Sequence, residues 1–455
     1  MEPWRDWELL MNRPVASPPV LKRELGVFGA TMMGMGSIVG TGVFVSIGIA
    51  AGLAGPSVVL AIALAAFVAM CNAFSSAQLA ASHPVSGGSY EYGYKYLRPS
   101  LGFTAGWMFL CAKSASAATA ALGFSGYLLH AFGISGELLI PVAAGTSILL
   151  SAVVLSGLRR SNAVNIVIVS VTLLALGAFV LGGLPSMASN GASRFTPFWS
   201  DGEYGPLHGF LYATALMFVA YTGYGRIATL GEEVHDPRRT IPRAIVVTLI
   251  LSAGLYIAVG AVAIGVLGSE ALGDATRGNA APLEVAARRF NVSGIHWLVA
   301  VGAMTAMLGV LLNLILGLSR VLLAMGRRND MPSATARLNE AETTPYVAVI
   351  VIGVIVTALA CIGSVKTTWS FSAFTVLVYY AITNLAALRI PREERIFPPV
   401  FAWMGLAACL FLAFWVEWRI WAAGLGLIGM GLVWHAIARR IAASAARARG
   451  DSCAS

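Results

Sequence analysis

The chain has 455 residues, of which 58% are hydrophobic and 11% charged, whereas soluble proteins average about 25% charged residues. So few polar side chains cannot cover a surface in water, which excludes a soluble enzyme, a nucleic-acid-binding module and a disordered protein. The net charge of +9 therefore indicates a bias among membrane loops rather than a nucleic-acid partner.

Twelve apolar runs are each long enough for a membrane crossing, which takes about 20 residues. They predict an all-α integral membrane protein with twelve transmembrane helices. The charged segment before the first run is unlike a signal peptide, so we expect that run to be retained. The runs lie at 26–50, 56–80, 101–130, 138–157, 162–184, 207–231, 243–268, 295–325, 345–363, 366–389, 397–416 and 418–438.

The basic residues are distributed unevenly between the two sides of these spans. The side that carries both termini has 22 Lys and Arg, and the other side has 6. Lys113 in span 3 and Arg226 in span 6 are counted with neither side. Because basic loops stay on the cytoplasmic side, we expect a multi-pass plasma (inner) membrane protein with both termini in the cytoplasm.

Two glycine-rich stretches predict interrupted helices. Residues 34–42 carry four glycines near the middle of span 1, and residues 220–225 carry two near the middle of span 6. Each glycine costs about 1 kcal/mol of helix propensity. Interruptions at matching places in two halves are typical of transporters built from inverted repeats, with the binding site between them. A glycine-rich packing face is the alternative interpretation.

An interruption creates a place for an amino acid. The N–H groups at the start of the resuming half-helix suit a carboxylate, and the carbonyls that end the preceding half-helix suit an ammonium. In the hydrocarbon core of the bilayer, backbone groups without hydrogen-bond partners are tolerated only where they are buried in protein or line a cavity.

Four stretches occur in this order along the chain: GSIVGTGVF at 36–44, HPVSGGSYEY at 83–92 followed by Gly106 and Trp107, the segment from AYTGY at 220–224 to EEVHDPRRTIPR at 232–243, and SR at 319–320 through RRNDMP at 327–332. With them the chain resembles the amino acid–polyamine–organocation (APC) superfamily over roughly residues 20–440.

The resemblance implies a five-plus-five inverted-repeat, leucine-transporter-like fold with two extra C-terminal helices. It divides the chain into a cytoplasmic segment 1–24, repeats 25–200 and 201–392, spans 11 and 12 at 393–440, and a cytoplasmic tail 441–455. The substrate carboxylate would meet Thr41 and Gly42, its ammonium the carbonyls of Ile38, Val219 and Thr222, and the Tyr224 ring would cover it. The implied substrate-binding set is Ile38, Gly40, Thr41, Gly42, Val219, Ala220, Thr222 and Tyr224.

Charged residues after span 6 form a second candidate device. Glu232 and Glu233 have the wrong sign for a helix C-terminus, and Arg238 and Arg239 lie close enough in sequence to neutralise them. We expect either a latch that changes partners between transport states or a fixed salt-bridge network. Thr240 and Pro242 predict the start of the next helix.

The sequence departs from its family at one position. Many members carry a span-5 lysine, thought to relay a proton, and Thr172 stands there instead. Lys113 in span 3 lies in a run of small residues, and a cation within a membrane helix costs about 2.5–3.5 kcal/mol on insertion scales. Lys113 is therefore a candidate charge placeholder or proton relay, with snorkelling to an interface as the alternative. Arg226 would be a fixed charge, and Thr305 a weak candidate for a cation site.

The spans contain no carboxylate away from their ends, so nothing predicted there would neutralise a cationic side chain. We expect a secondary active transporter, a proton-coupled symporter or an exchanger, for a neutral amino acid or an acidic one paired with Arg226. Cationic amino acids or polyamines are the alternative cargo, since aromatic rings also hold cations. A channel or a non-transporting sensor is the alternative of another class.

The cysteines and histidines of the sequence form no cluster of the kind that would indicate a metal site, a cofactor or an enzyme. The expected partners are a small-molecule amino acid, the lipid bilayer and a coupling proton. The oligomeric state is not predicted.

Overall fold

The computed structural model describes residues 25–83, 87–157, 162–199, 204–228, 234–339 and 344–452. Within these ranges the chain folds into α-helices joined by turns and short connections, and no β-strand forms. The helices, in chain order, are α1 Val27–Ile38, α2 Ile47–Ala54, α3 Val58–Ser82, α4 Ser89–Tyr96, α5 Pro99–Ala131, α6 Leu139–Leu155, α7 Asn162–Asn190, α8 Pro206–Tyr221, α9 Gly225–Ala228, α10 Pro237–Leu267, α11 Ser269–Asn279, α12 Pro282–Ala287, α13 Ile295–Arg327, α14 Tyr346–Ala360, α15 Val365–Leu388, α16 Pro399–Ala413 and α17 Trp418–Ser452.

Every predicted apolar run coincides with one of these helices or with an interrupted pair of them. Seven of the described segments are long and apolar enough to cross a membrane: Gly42–Ser82, Gly136–Leu155, Ala163–Ser189, Pro237–Leu267, Ile295–Arg327, Val365–Leu388 and Trp418–Ile441. Three further apolar helices, α1, α14 and α16, are shorter, so the number of twelve spans stays a prediction.

Helix α5 packs against α13 and α15, and a stretch of it is fully enclosed by its neighbours. Every residue from 114 to 123 is buried, and all but Leu122 are Ala, Ser, Thr or Gly. Small side chains let neighbouring helices approach closely, which is how membrane helices gain packing energy without a hydrophobic driving force. The helix therefore forms a tightly held core for the bundle.

The outer helices show the opposite arrangement, with large apolar side chains facing outward. Leu174 and Leu181 of α7 and Val354 of α14 are each more than 60% exposed. A surface of this kind is unfavourable in water and favourable against lipid tails. The distribution of side chains thus matches a bundle surrounded by lipid.

Two helices are interrupted, at the places where glycines are concentrated. Helix α1 ends at Ile38, Val39 adopts an extended backbone, and the chain resumes as a five-residue π-helix, Gly42–Ser46, that leads into α2. Helix α8 gives way to a single 3₁₀ turn, Thr222–Tyr224, before α9. The second interruption is milder than predicted, because the i→i+3 bonds of a 3₁₀ turn keep part of the backbone paired.

The predicted start of α10 is wrong by several residues. The helix begins at Pro237 instead of near Thr240, and Pro242 lies inside it. A proline at the first helical position loses no intrahelical bond, because the first N–H groups of a helix have no partner there. The Thr240 hydroxyl donates to the His235 carbonyl at 2.5 Å, so it serves the first turn rather than starting the helix.

A buried carboxylate, Asp330, joins three distant parts of the chain. It follows α13 and is 3% exposed. The hydroxyls of Tyr90 and Tyr94 on α4 each donate to its Oδ2 at 2.6 Å. From α17, His435 Nδ1 lies 3.2 Å from its Oδ1, and Trp434 Nε1 donates to its backbone carbonyl at 2.8 Å. Burial, reinforced by the bonds to the carboxylate, raises the pKa of both tyrosine hydroxyls above their ordinary value.

Candidate functional site

The two interruptions face each other in direct backbone contact. A Cβ added to Gly223 would lie 2.3 Å from the Ser37 carbonyl oxygen and 2.6 Å from the Ile38 nitrogen. A Cβ added to Gly42 would lie 2.8 Å from the Ala220 Cα. Only glycine permits such an approach at both places, so the predicted weak points of the helices are also the points where they meet.

Each of the three carbonyls predicted to meet an ammonium already accepts a hydroxyl. Tyr256 donates to Ile38 O at 2.8 Å, and Tyr380 donates to Thr222 O at 3.2 Å. The Thr222 hydroxyl donates to Val219 O at 2.8 Å. A carbonyl oxygen has two lone pairs. Val219 O also accepts from the Thr222 N–H, and Thr222 O from the Gly225 N–H. Ile38 O is therefore the carbonyl with described capacity for a further donor.

A cavity of about 40 Å³ lies between the interruptions. By the roughly 10–15 Å³ that a water molecule needs, it has room for a few waters. A larger solute reaches this place only if the surrounding helices move apart. The cavity is lined by Ser37, Ile38, Thr41, Gly42, Lys113, Ser116, Val219, Ala220, Thr222, Gly223, Val310, Leu314 and Trp369.

Lys113 brings a positive charge to this cavity. Its Nζ donates to the Thr222 hydroxyl at 2.8 Å. Within the described ranges no carboxylate oxygen lies within 4.0 Å of this Nζ, the limit for an ion pair. An ammonium has three protons to donate, so it can make further hydrogen bonds. The Thr41 hydroxyl in the same lining is buried and, among the described residues, has no hydrogen-bond partner. The site thus offers spare donors beside the Ile38 carbonyl, which has spare acceptor capacity.

Two predicted substrate contacts lie just behind the lining. A Cβ on Gly40 would be 2.6 Å from the Val310 side chain, so this residue packs against α13. Tyr224 is fully buried, with its ring centroid 5.5 Å from that of Tyr380.

The other predicted coupling residues are not in the cavity lining. Arg226, in α9, is half-buried. Thr172 is buried and donates to Ile168 O within its own helix at 2.8 Å, while Thr305 donates to Val301 O at 2.9 Å. The structure therefore brings Lys113, and none of these three, to the cavity.

Of the predicted latch, Glu232 and Glu233 lie outside the described residues. Arg238 and Arg239 are exposed, and Arg239 Nε lies 3.6 Å from Asp236 Oδ2. The pairing with the glutamates stays a prediction.

Several lining residues were missed by sequence analysis. Trp369 of α15 lines the cavity and donates through Nε1 to Leu216 O at 3.0 Å, which ties it to α8. Val310 and Leu314 of α13, one turn apart, add an apolar wall. One apolar side chain among many on a membrane helix carries no signal in the sequence, whereas a buried Trp, which seeks a partner for its N–H, is a weak one.

The family profile described as Amino acid permease matches residues 29–438, which includes both interruptions and the whole cavity lining. The chain belongs to the amino acid permease family, within the APC superfamily. It is accordingly a multi-pass membrane protein and a transporter rather than an enzyme.

The names of similar proteins differ in the substrate that they give, and one gives none. An uncharacterized transporter of Mycobacterium tuberculosis (strain H37Rv) is 40% identical over 95% of this chain and 95% of its own. The branched-chain amino acid permease BcaP of Bacillus subtilis is 27% identical over 91% of this chain and 92% of its own. Cationic amino acid transporter 4 of Mus musculus is 30% identical over 85% of this chain and 63% of its own.

Proposed function

We propose that the protein is a secondary active transporter that moves a neutral amino acid across the plasma membrane by alternating access. The observation that carries this proposal is the cavity between two interrupted helices in backbone contact. Half-helix ends at such a place present donors and acceptors that substrate groups satisfy. The small volume of the cavity corresponds to a closed state between the two open ones.

In this proposal the substrate's two charged groups bind at opposite ends of the cavity. Its carboxylate accepts from the backbone at Gly42 and from the unpaired Thr41 hydroxyl, and its ammonium donates to the carbonyls of Ile38, Val219 and Thr222. The Ile38 carbonyl has a lone pair free for this bond, and the Val219 and Thr222 carbonyls must first give up one of their two present donors. Tyr224 acts as a cover only after its ring leaves its contact with Tyr380.

The charge of the cavity supports a neutral cargo over a cationic one. Lys113 would repel a cationic side chain, and the described lining residues include no carboxylate to pair with it. Val310, Leu314 and Trp369 offer an apolar wall for a side chain. An acidic amino acid is the second candidate, with Lys113 rather than Arg226 as the partner because Lys113 is the cation in the lining.

Lys113 is also the proposed coupling residue, as a charge placeholder or a proton relay. The Lys113→Met variant should lose proton-coupled uptake, because methionine keeps the length of the side chain without the charge. Lys366→Met is the matched control, since Lys366 lies outside the cavity beside the Tyr204 ring. Uptake that stays unchanged in Lys113→Met shows that the coupling assignment is wrong.

The proposed topology has twelve spans, two inverted repeats at 25–200 and 201–392, two further helices, and both termini in the cytoplasm. The helix positions and the 22-to-6 distribution of basic residues support it. Accessibility of tags placed at each terminus, probed in intact cells, tests the orientation: labelling of either terminus from outside contradicts it.

A panel of amino acids tested for thermal stabilisation of the purified protein is the decisive experiment, because a ligand stabilises the state that it binds. Neutral amino acids should raise the melting temperature, and arginine and putrescine should not. Stabilisation by the cationic compounds alone would reverse the substrate assignment. Saturable counterflow in proteoliposomes distinguishes a carrier from a channel or a non-transporting sensor.

A further inference from the structure

A second cavity, of about 260 Å³, lies at the C-terminal end of α5. It shares no lining residue with the central cavity, and its volume is several times larger. His130 at the end of α5, Asn279 at the end of α11 and Arg288 after α12 line it. In the proposed orientation this end of α5 faces the outside of the cell.

One wall of this cavity carries a fixed guanidinium. Arg288 Nε donates to Glu284 Oε1 at 2.6 Å, and Arg288 Nη2 donates to the His130 carbonyl at 3.5 Å. Glu284 is fully buried, and His130 Nδ1 contacts its other oxygen. A guanidinium has five N–H donors, and the Arg288 side chain is 45% exposed, so donors remain for a bound anion.

The facing wall carries backbone acceptors. Gly278 and Asn279 form the last turn of α11, where carbonyls lack intrahelical partners and the helix dipole has its negative end. A Cβ added to Gly278 would meet no atom within 4 Å, so there is open space beside this residue, whereas the Asn279 carbonyl oxygen packs against Gly126 of α5. The wall therefore suits a cation of the size of an ammonium group.

We propose that this cavity is a second binding site for free α-amino acids. The carboxylate binds Arg288, the ammonium binds the carbonyl of Gly278, and the side chain points outward without selection. The inference rests on the proposed function, since it presumes an amino acid as cargo and an outward position for the cavity.

A chain of contacts connects this site to the first interruption. Tyr127 lies one turn before His130 on α5, and its hydroxyl donates to Phe44 O at 2.7 Å in the π-helical segment. The same hydroxyl accepts from the backbone N–H of Leu283, next to Glu284, at 3.3 Å. Occupancy of the cavity thus acts on the half-helix that must move when the central site opens.

Equilibrium dialysis of the purified full chain with radiolabelled L-leucine tests the proposal. Arg288→Gln should remove one bound leucine per chain or weaken that site at least tenfold, and the neighbouring exposed Arg289→Gln is the matched control. Gly278→Leu places a bulky side chain on a lining residue that has open space beside it and leaves the Arg288–Glu284–His130 contacts intact. It should obstruct the site, so it decides the question even if Arg288→Gln fails to fold. N-Acetyl-L-leucine, which lacks the ammonium, should not displace the leucine held here.

The difference between wild type and variants decides the outcome. Equal leucine binding by wild type and Gly278→Leu overturns the second site and leaves the central site standing. Loss of one leucine in Gly278→Leu, together with no uptake by wild type in proteoliposomes, supports the second site and contradicts the proposed transport. A wild-type protein that binds no leucine at all contradicts this site directly, because the site has no side-chain selection.

Discussion

Substitution of Gly223 by alanine should separate the two interrupted helices. The new Cβ would lie 2.3 Å from the Ser37 carbonyl oxygen, whereas ordinary contact begins at 3.4 Å. The obstacle is backbone, which cannot turn aside as a side chain does, so the helices must part by about 1 Å. Overpacking of this kind costs about 1–3 kcal/mol, which corresponds to a roughly 5- to 150-fold loss in any equilibrium that needs the closed arrangement.

The assay is amino-acid-dependent thermal stabilisation, followed by uptake in proteoliposomes. Gly223→Ala should fold with a lower melting temperature and lose most of the stabilisation by its amino acid. Gly225→Ala is the matched control two residues away, because its Cβ would meet only the Tyr380 hydroxyl, at 3.4 Å. Wild-type stabilisation and uptake in Gly223→Ala would refute the argument that backbone contact between the interruptions is required.

Three further predictions concern polar groups around the bundle. Tyr256→Phe should lower stability by about 0.5–1.5 kcal/mol and retain amino-acid affinity, since its carbonyl partner at the end of α1 keeps its lone pairs; unchanged stability argues against that hydrogen bond. Asp330→Asn should cost about 2 kcal/mol in chemical denaturation, because two charge-assisted bonds become neutral, while exposed Glu270→Gln should cost little. The folded chain favours the neutral hydroxyls of Tyr90 and Tyr94, so their contribution is complete below the ordinary tyrosine value of 10.0 and is lost as pH rises above it. The double variant with phenylalanine at both positions should show a smaller drop in melting temperature above pH 10, and an identical drop would contradict the assignment.

The helices were predictable because hydropathy is a local property of the chain. Twelve apolar runs gave the positions of the helices, and glycine-rich stretches gave both interruptions. Lys113 was identified as exceptional because a cation in a run of small residues has to be accommodated by its surroundings. These features depend on residues that are close in sequence, so no knowledge of the bundle was needed.

The partners of the site were not predictable, because they come from helices distant in sequence. Tyr256 and Tyr380 hold the carbonyls of Ile38 and Thr222, and nothing in their own segments distinguishes them from other membrane tyrosines. Glu284 lies between two predicted spans, on α12, which has only six residues. Its carboxylate is buried, and His130 at the end of α5, distant in sequence, contacts it.

The buried Asp330 makes the last helix part of the folded unit rather than an appendage. Trp434 and His435 close over the carboxylate from α17, so a chain that stops before them would expose a charged group together with the two tyrosine hydroxyls bonded to it. Shortened forms for expression or for fusion to a reporter should therefore keep α17 at least through Arg440. Dependence of folding on the last part of the chain also means that a nascent protein completes this cluster only when synthesis is nearly finished.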